Sequence, residues 1–326
     1  MRQAISLAEH GDEGQALVLT NALVAQHPDF MPALKLQGEL LEDTGHGPDA
    51  ALSYEKALTL APNDPDLLLK VGVDQLIKGK YDQSILLLRH HLSLVPHDRD
   101  ALYYLAQGYH LKGENDLALK TIEECLRVDP NNASVWQKYG ELLCSSGDNE
   151  GAIRWLLKAQ SSDPTLDRLD FDLAVASYKS MDFPSALKYS AKAAARRPDD
   201  PEILALYAAA QASLSQWQDA ENTFERILAI KHDDLASLLG LGHCEVELKH
   251  YQDAIDSLNH LLHLDPTQIA AHFYLSRAFA GLGNATEAQH QIQLHHLMME
   301  QMSFVRTLET DQREHDITAQ ARQLLV

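Results

Sequence analysis

The side chains able to do chemistry are scattered along this chain without the spacings that chemistry needs. Histidine is abundant, at 17 residues, and the nearest thing to a ligand set is His260 with His263, followed later by His290, His295 and His296. A metal site needs ligands that converge. Two histidines three residues apart commonly mark one exposed helix face, so the expectation is no metal and no cofactor. Cys125, Cys144 and Cys244 are odd in number and widely separated. They have neither the paired spacing of a zinc site nor that of a disulfide framework, and read as small apolar fillers in a reducing compartment. Glycine-rich phosphate loops, nucleophile elbows and His-Glu-x-x-His helices do not occur. The sequence points away from an enzyme.

Charge narrows the partners. Lys and Arg number 27 against 47 Asp and Glu, a formal net charge of −20. Nucleic acids and anionic membranes both demand basic surface, so neither is expected, and a neutral or basic protein or peptide fits better. The opening residues MRQAISLAEHGDEGQAL hold no apolar core of signal-peptide length. No uninterrupted apolar run is long enough to span a bilayer. The expected location is cytoplasmic.

What must position any functional side chain is a repeat. The stretch Arg99 to Asn132 holds two helical patterns broken at Gly113 and ended by Pro130. The same punctuation recurs at Pro28, Pro62, Pro96, Pro130, Pro164, Pro198 and Pro266, a beat of 34 residues on which only His232 interrupts the prolines. Units therefore run 1–30, 31–64, 65–98, 99–132, 133–166, 167–200, 201–234, 235–268 and 269–302. Position eight of the unit is Ala4, Gly38, Gly72, Ala106, Gly140, Ala174, Ala208, Gly242 and Ser276. Position twenty is Ala16, Ala50, Ser84, Ala118, Ala152, Ala186, Ala220, Ala254 and Ala288. Two helices cross closely only where side chains are small, so both positions are expected to be helix contacts.

These features resemble the tetratricopeptide repeat family, whose 34-residue helix-turn-helix unit has an early large residue, small residues at both crossings and a terminal proline. Trp136, Tyr139-Gly140, Ala152 and Pro164 form the copy nearest that pattern. The resemblance implies an all-α, right-handed superhelical solenoid of about nine antiparallel helix pairs over residues 1–302. Residues 303–326 read as a C-terminal helical extension, either a cap or a continuation that is cut short. Some copies depart from the family: Asp170 and His272 replace the early large residue. Met181, Ser215 and Lys249 replace the turn glycine, which implies that those three turns close differently.

In this family the first, or A, helix of each unit lines the concave groove and presents positions two, five, nine and twelve to a ligand. The resemblance thus implies that Tyr103, Gln107 and His110, then Gln137, Glu141 and Cys144, then Phe171, Val175 and Tyr178 form the groove's most aromatic part. These rings either anchor a ligand or pack against neighbouring A helices. The lysine and asparagine with which some members grip a chaperone's terminal carboxylate are absent, because Lys35 is followed by Glu39. The asparagine ladder of sugar-transferase members is absent at position six. The implied function is a non-catalytic scaffold that holds a peptide or protein segment in the groove. Two alternatives stay open: the targeting or regulatory region of a larger enzyme, and homo-oligomeric assembly through the terminal helices.

Overall fold

The computed structural model describes residues 1–303, and no strand occurs among them. Seventeen helices follow in order: α1 Arg2–Glu9, α2 Glu13–Gln26, α3 Met31–Asp43, α4 Gly47–Leu60, α5 Pro65–Ile77, α6 Tyr81–Leu94, α7 Arg99–Leu111, α8 Asn115–Val128 and α9 Ala133–Ser146. They continue with α10 Asn149–Ser162, α11 Leu169–Lys179, α12 Phe183–Arg196, α13 Pro201–Ser213, α14 Trp217–Ile230, α15 Leu235–Leu248, α16 Tyr251–Leu264 and α17 Ile269–Gly281. Residues 285–303 are again helical up to the end of the described chain. The extension at 303–326 falls, but for its first residue, outside the described residues. No helix among those described is long and apolar enough to cross a membrane.

The chain divides into two compact units, Met1–Asp172 and Leu173–Val326, with the division inside α11. In the first, the A helices α1, α3, α5, α7 and α9 each pack on the B helix that follows, and α2, α4, α6 and α8 also pack on the next A helix; in the second, α13 and α15 pack on the following B helix, and α12, α14 and α16 on the next A helix. One apolar cluster of the first unit joins Leu88, Leu102, Ile122 and Val135 across four successive helices. In the second, Leu238, Leu258, Leu261 and Leu275 do the same across three. Each pair thus completes its core with the neighbouring pair's side chains, which is how a repeat is stabilised without one large interior.

Starts and stops are written locally. Asp64, Asp98, Asn132, Asp200 and Asp234 each accept a hydrogen bond from a backbone N–H in the first turn of the A helix that follows, which satisfies a group the helix cannot. Asp29 does not cap, because Phe30 takes the cap position and α3 starts beyond it.

The small positions are where the helices touch. Position twenty is at most 3% exposed at Ala16, Ala50, Ser84, Ala118, Ala152, Ala186, Ala220 and Ala254. Ser84 Oγ donates to the Gly72 carbonyl at 2.7 Å, position twenty bonding position eight across the pair. A Cβ built on Gly140 would stand 2.7 Å from Leu156 Cγ and 3.2 Å from the Ala152 carbonyl oxygen. Where the early large residue is lost, the polar replacement is buried and bonded: Gln160 Nε2 donates to Asp170 Oδ1 at 3.2 Å, and His272 Nδ1 lies 2.7 Å from Gln291 Oε1.

The three turns without glycine correct the sequence expectation. Met181, Ser215 and Lys249 adopt φ of 61°, 58° and 67°, the left-handed conformation that Gly11, Gly45, Gly79, Gly113, Gly147 and Gly283 adopt elsewhere. The closing bonds are the same too: Asp182 N–H to Ser177 O at 2.9 Å and His250 N–H to Glu245 O at 2.8 Å match Asp148 N–H to Leu143 O at 2.9 Å. Packing of the pair dictates the turn, and a side chain there tolerates a strain of about 1–2 kcal/mol.

His232 lies in the turn between α14 and α15. Lys231 before it has φ −128° and ψ 86°, close to the −131° and 73° of Ala61 before Pro62 and suited to a residue that precedes proline. His232→Pro should therefore fold with a melting midpoint equal to the parent's or slightly higher, by up to about 1 kcal/mol through a stiffer unfolded chain. Thermal unfolding followed by circular dichroism checks this; a drop of several degrees would place residue 232 inside a helix.

Candidate functional site

Along the A helices of the first unit, groove positions of one pair meet those of the next. Lys35 Nζ reaches Asp66 at 2.8 Å and Asp64 at 3.4 Å. Lys70 Nζ donates to Glu42 Oε2 at 2.6 Å, and the Tyr54 hydroxyl donates to the same oxygen at 2.8 Å. Further along, His110 Nε2 stands 3.6 Å from Glu141 Oε1, and Lys138 Nζ is 2.5 Å from Glu141 Oε2. The face carries a series of polar bridges, some within a pair and others between neighbouring pairs.

Tyr103 and Tyr104 stand out from it as a half-buried, edge-to-face pair with centroids 5.5 Å apart. They line a cleft of about 290 Å³ with Arg99, Asp100, Asn132, Ser134 and Val135. Lys138 Nζ lies 5.9 Å from the Tyr103 ring centre, and burial raises the Tyr103 hydroxyl above the usual tyrosine range. Gln107, one turn on and half-buried, has an amide with no hydrogen-bond partner among the described residues. Gln137 is already engaged, its Nε2 donating to the Asp167 carbonyl at 2.7 Å and to Asp172 Oδ2 at 2.6 Å. Phe171 is only 7% exposed and lies under the Arg168 guanidinium at 4.4 Å, so its ring packs. Cys144 is buried as well.

Asp172, at position six beside the expected stripe, is the groove group that sequence reasoning did not single out. Burial pushes its carboxyl up to about 7, against the Gln137 hydrogen bond that lowers it, while the Glu141 charge raises it further.

Val175 and Tyr178 belong to the second unit and are half-buried there. Tyr178 packs edge-on against Phe183 at 5.4 Å, and Ser213 Oγ donates to its hydroxyl at 3.4 Å. This unit holds an aromatic cluster of its own: His243 stacks on Tyr274 at 4.4 Å and 25°, and Trp217 lies 5.1 Å from His243. Burial lowers the His243 pKa, which favours the neutral ring. Trp217 opens a B helix and escaped a search confined to A-helix positions.

Two of the thiols are held in their protonated form. Burial pushes Cys125 up to about 11 and Cys244 up to about 12, so both stay protonated where a reactive cysteine is ionised.

Helix pairs recurring every 34 residues, with small residues at both crossings, define a helical repeat protein. Two sequence profiles described as tetratricopeptide repeat match residues 78–232 and 1–65, and the chain belongs to that family. Comparison with curated proteins gave no match. Among solved structures, the APC/C hetero-tetramer Cut9-Hcn1 is 18% identical with a TM-score of 0.62, over 85% of this chain and 54% of that one. PilW, a type IV pilus biogenesis factor, is 20% identical with a TM-score of 0.58, over 64% and 96%. A tetratricopeptide repeat protein from Parabacteroides merdae is 15% identical with a TM-score of 0.55, over 76% and 98%. At these identities the likeness is one of fold.

Proposed function

We propose that this chain is a non-catalytic scaffold that binds a neutral or basic peptide segment on the A-helix face of its first unit, centred on Tyr103. The observation that carries the reading is the cleft at Tyr103 and Tyr104. Two aromatic faces, the Ser134 side chain and the charged pair Arg99 and Asp100 converge there beside the α9 cap Asn132, with the uncommitted amide of Gln107 one turn away. Aromatic rings supply contact area for little lost side-chain entropy, and polar groups around them fix a peptide's register. The surplus of carboxylates over Lys and Arg favours basic residues in the ligand. The family supports a binding role by analogy of fold, which is weaker than the argument from the site.

Affinity capture from the source cell extract, read by mass spectrometry, should yield a partner whose affinity falls about thirtyfold with Tyr103→Ala, as a residue worth about 2 kcal/mol at an interface centre would require. Gln107→Ala should weaken it less. Phe171→Ala is unsuitable as a probe, because truncating a buried ring damages the fold. A Tyr103→Ala protein with unchanged circular dichroism and undiminished affinity would move binding away from this cleft.

A further inference from the structure

His232 stands where seven other units carry proline, and the structure gives that departure a geometry. His232 and Asp233 occupy the turn after α14, and His260 reaches them from α16. His260 Nε2 is 3.1 Å from Asp233 Oδ1, and the His232 and His260 rings are 5.4 Å apart at 46°. One donor atom from each of the three residues lies within 4.8 Å of the other two. In the preceding unit the equivalent turn is closed by Pro198, and Arg226, at the position of His260, donates to the Pro198 carbonyl at 2.8 Å. A proline and a cation have thus been exchanged together for two imidazoles beside a carboxylate.

We propose that His232, Asp233 and His260 bind a divalent first-row transition ion, with zinc(II) the ion to test. Around a tetrahedral ion with bonds of about 2.0–2.2 Å, donor atoms lie about 3.3 Å apart. The His260–Asp233 pair already stands at that separation, with the ion taking the place of the hydrogen between them. The third donor needs to close by at most about 1.5 Å, and His232 is an exposed side chain in a turn. Two nitrogens with one oxygen suit zinc, nickel or copper, whereas magnesium and calcium prefer oxygen alone. Asp233 and His260 side chains are 59% and 33% exposed, so an ion enters from solvent without opening the fold. Three protein donors leave the fourth position to water or to a side chain of a bound partner.

The competing account is a plain hydrogen bond between His260 and Asp233, in which His232 has no part. His232→Pro separates the two, because it restores the residue that other units carry there while deleting one ligand. Calorimetric titration of zinc chloride into the whole chain near neutral pH should show one site of micromolar affinity. It should weaken by on the order of tenfold or more in His232→Pro, and likewise in His260→Ala. Zinc should also raise the melting temperature of the parent and raise it less in both variants. Absence of a micromolar site in the parent overturns the proposal. So does an affinity within threefold of the parent's in either variant once its circular dichroism shows it folded.

Discussion

Ala152→Leu should destabilise the protein by about 1–3 kcal/mol, and Ala254→Leu by a similar amount, because a closely crossed helix pair admits three extra carbons only by moving apart. Both alanines are 0% exposed. At the first, the facing position is Gly140, whose built Cβ would already stand 3.2 Å from the Ala152 carbonyl oxygen. Ala288, at the same position of the last pair, is half-buried, so Ala288→Leu serves as an internal control with an effect within about 0.5 kcal/mol. Urea unfolding followed by circular dichroism reads all three. Equal midpoints for the parent, Ala152→Leu and Ala254→Leu would mean that position twenty is not the crossing.

The fold was legible because the repeat states its restrictions many times over. One alanine in a helix carries no message, but nine small residues at one position and nine at another leave only a close crossing as the cause. The helix bounds of the first pair, Arg2–Glu9 and Glu13–Gln26, follow from Gly11 and the apolar pattern. What misled was reading the turns one at a time. Glycine propensity suggests that Met181, Ser215 and Lys249 need another turn, yet the helix pair fixes the closing hydrogen bonds first and the residue then accepts the left-handed backbone. A local preference of about 1–2 kcal/mol loses to the packing of two helices.

The candidate site was legible as a stripe and not as a network. Positions five, nine and twelve found Tyr103, Gln107, His110, Gln137 and Glu141, since the helical period alone puts them on one face. Burial by the neighbouring pair has no such signature, so the sequence could not separate the half-buried Tyr103 from the covered Phe171. The contacts that matter also sit at an unusual separation. Lys35 and Asp64 are 29 apart, Gln137 and Asp172 are 35 apart, and Asp233 and His260 are 27 apart. In a repeat of 34 residues these are side-by-side neighbours. Spacing along one helix pairs His260 with His263, whereas the fold brings His232 and Asp233, about one repeat away, to His260.

Two raised carboxyls, one buried and one half-buried, should each cost stability as pH rises from about 4 to about 7, a contribution that substitution isolates. Burial pushes Glu245 up to about 7; Ser257 lowers it by donating to Oε1 at 3.2 Å, and the Asp253, Glu221 and Glu225 charges raise it. Its Oε2 is buried without a partner, and the residue is 6% exposed. Asp172 is likewise pushed up to about 7. The sign follows from proton counting. Between the ordinary carboxyl range and about 7 the folded chain keeps a proton that the unfolded chain has lost, so raising the pH favours unfolding. Below about 4 both states hold the proton, and above about 7 both have lost it and the penalty is complete. Glu245→Gln removes the charge and keeps the acceptor for Ser257. It should match the parent within about 0.5 kcal/mol at pH 5 and exceed it by about 1–2 kcal/mol at pH 8. The gain stays below the roughly 3 kcal/mol that the displaced titration implies, because the new amide leaves donors unpaired. Asp172→Asn should gain about 1 kcal/mol at pH 8, less because its carboxyl is only half-buried and partly screened. Comparing variant with parent at each pH cancels the titration of the histidines common to both. A parent-to-variant difference that is the same at pH 5 and pH 8 would show that neither carboxyl holds its proton into the neutral range.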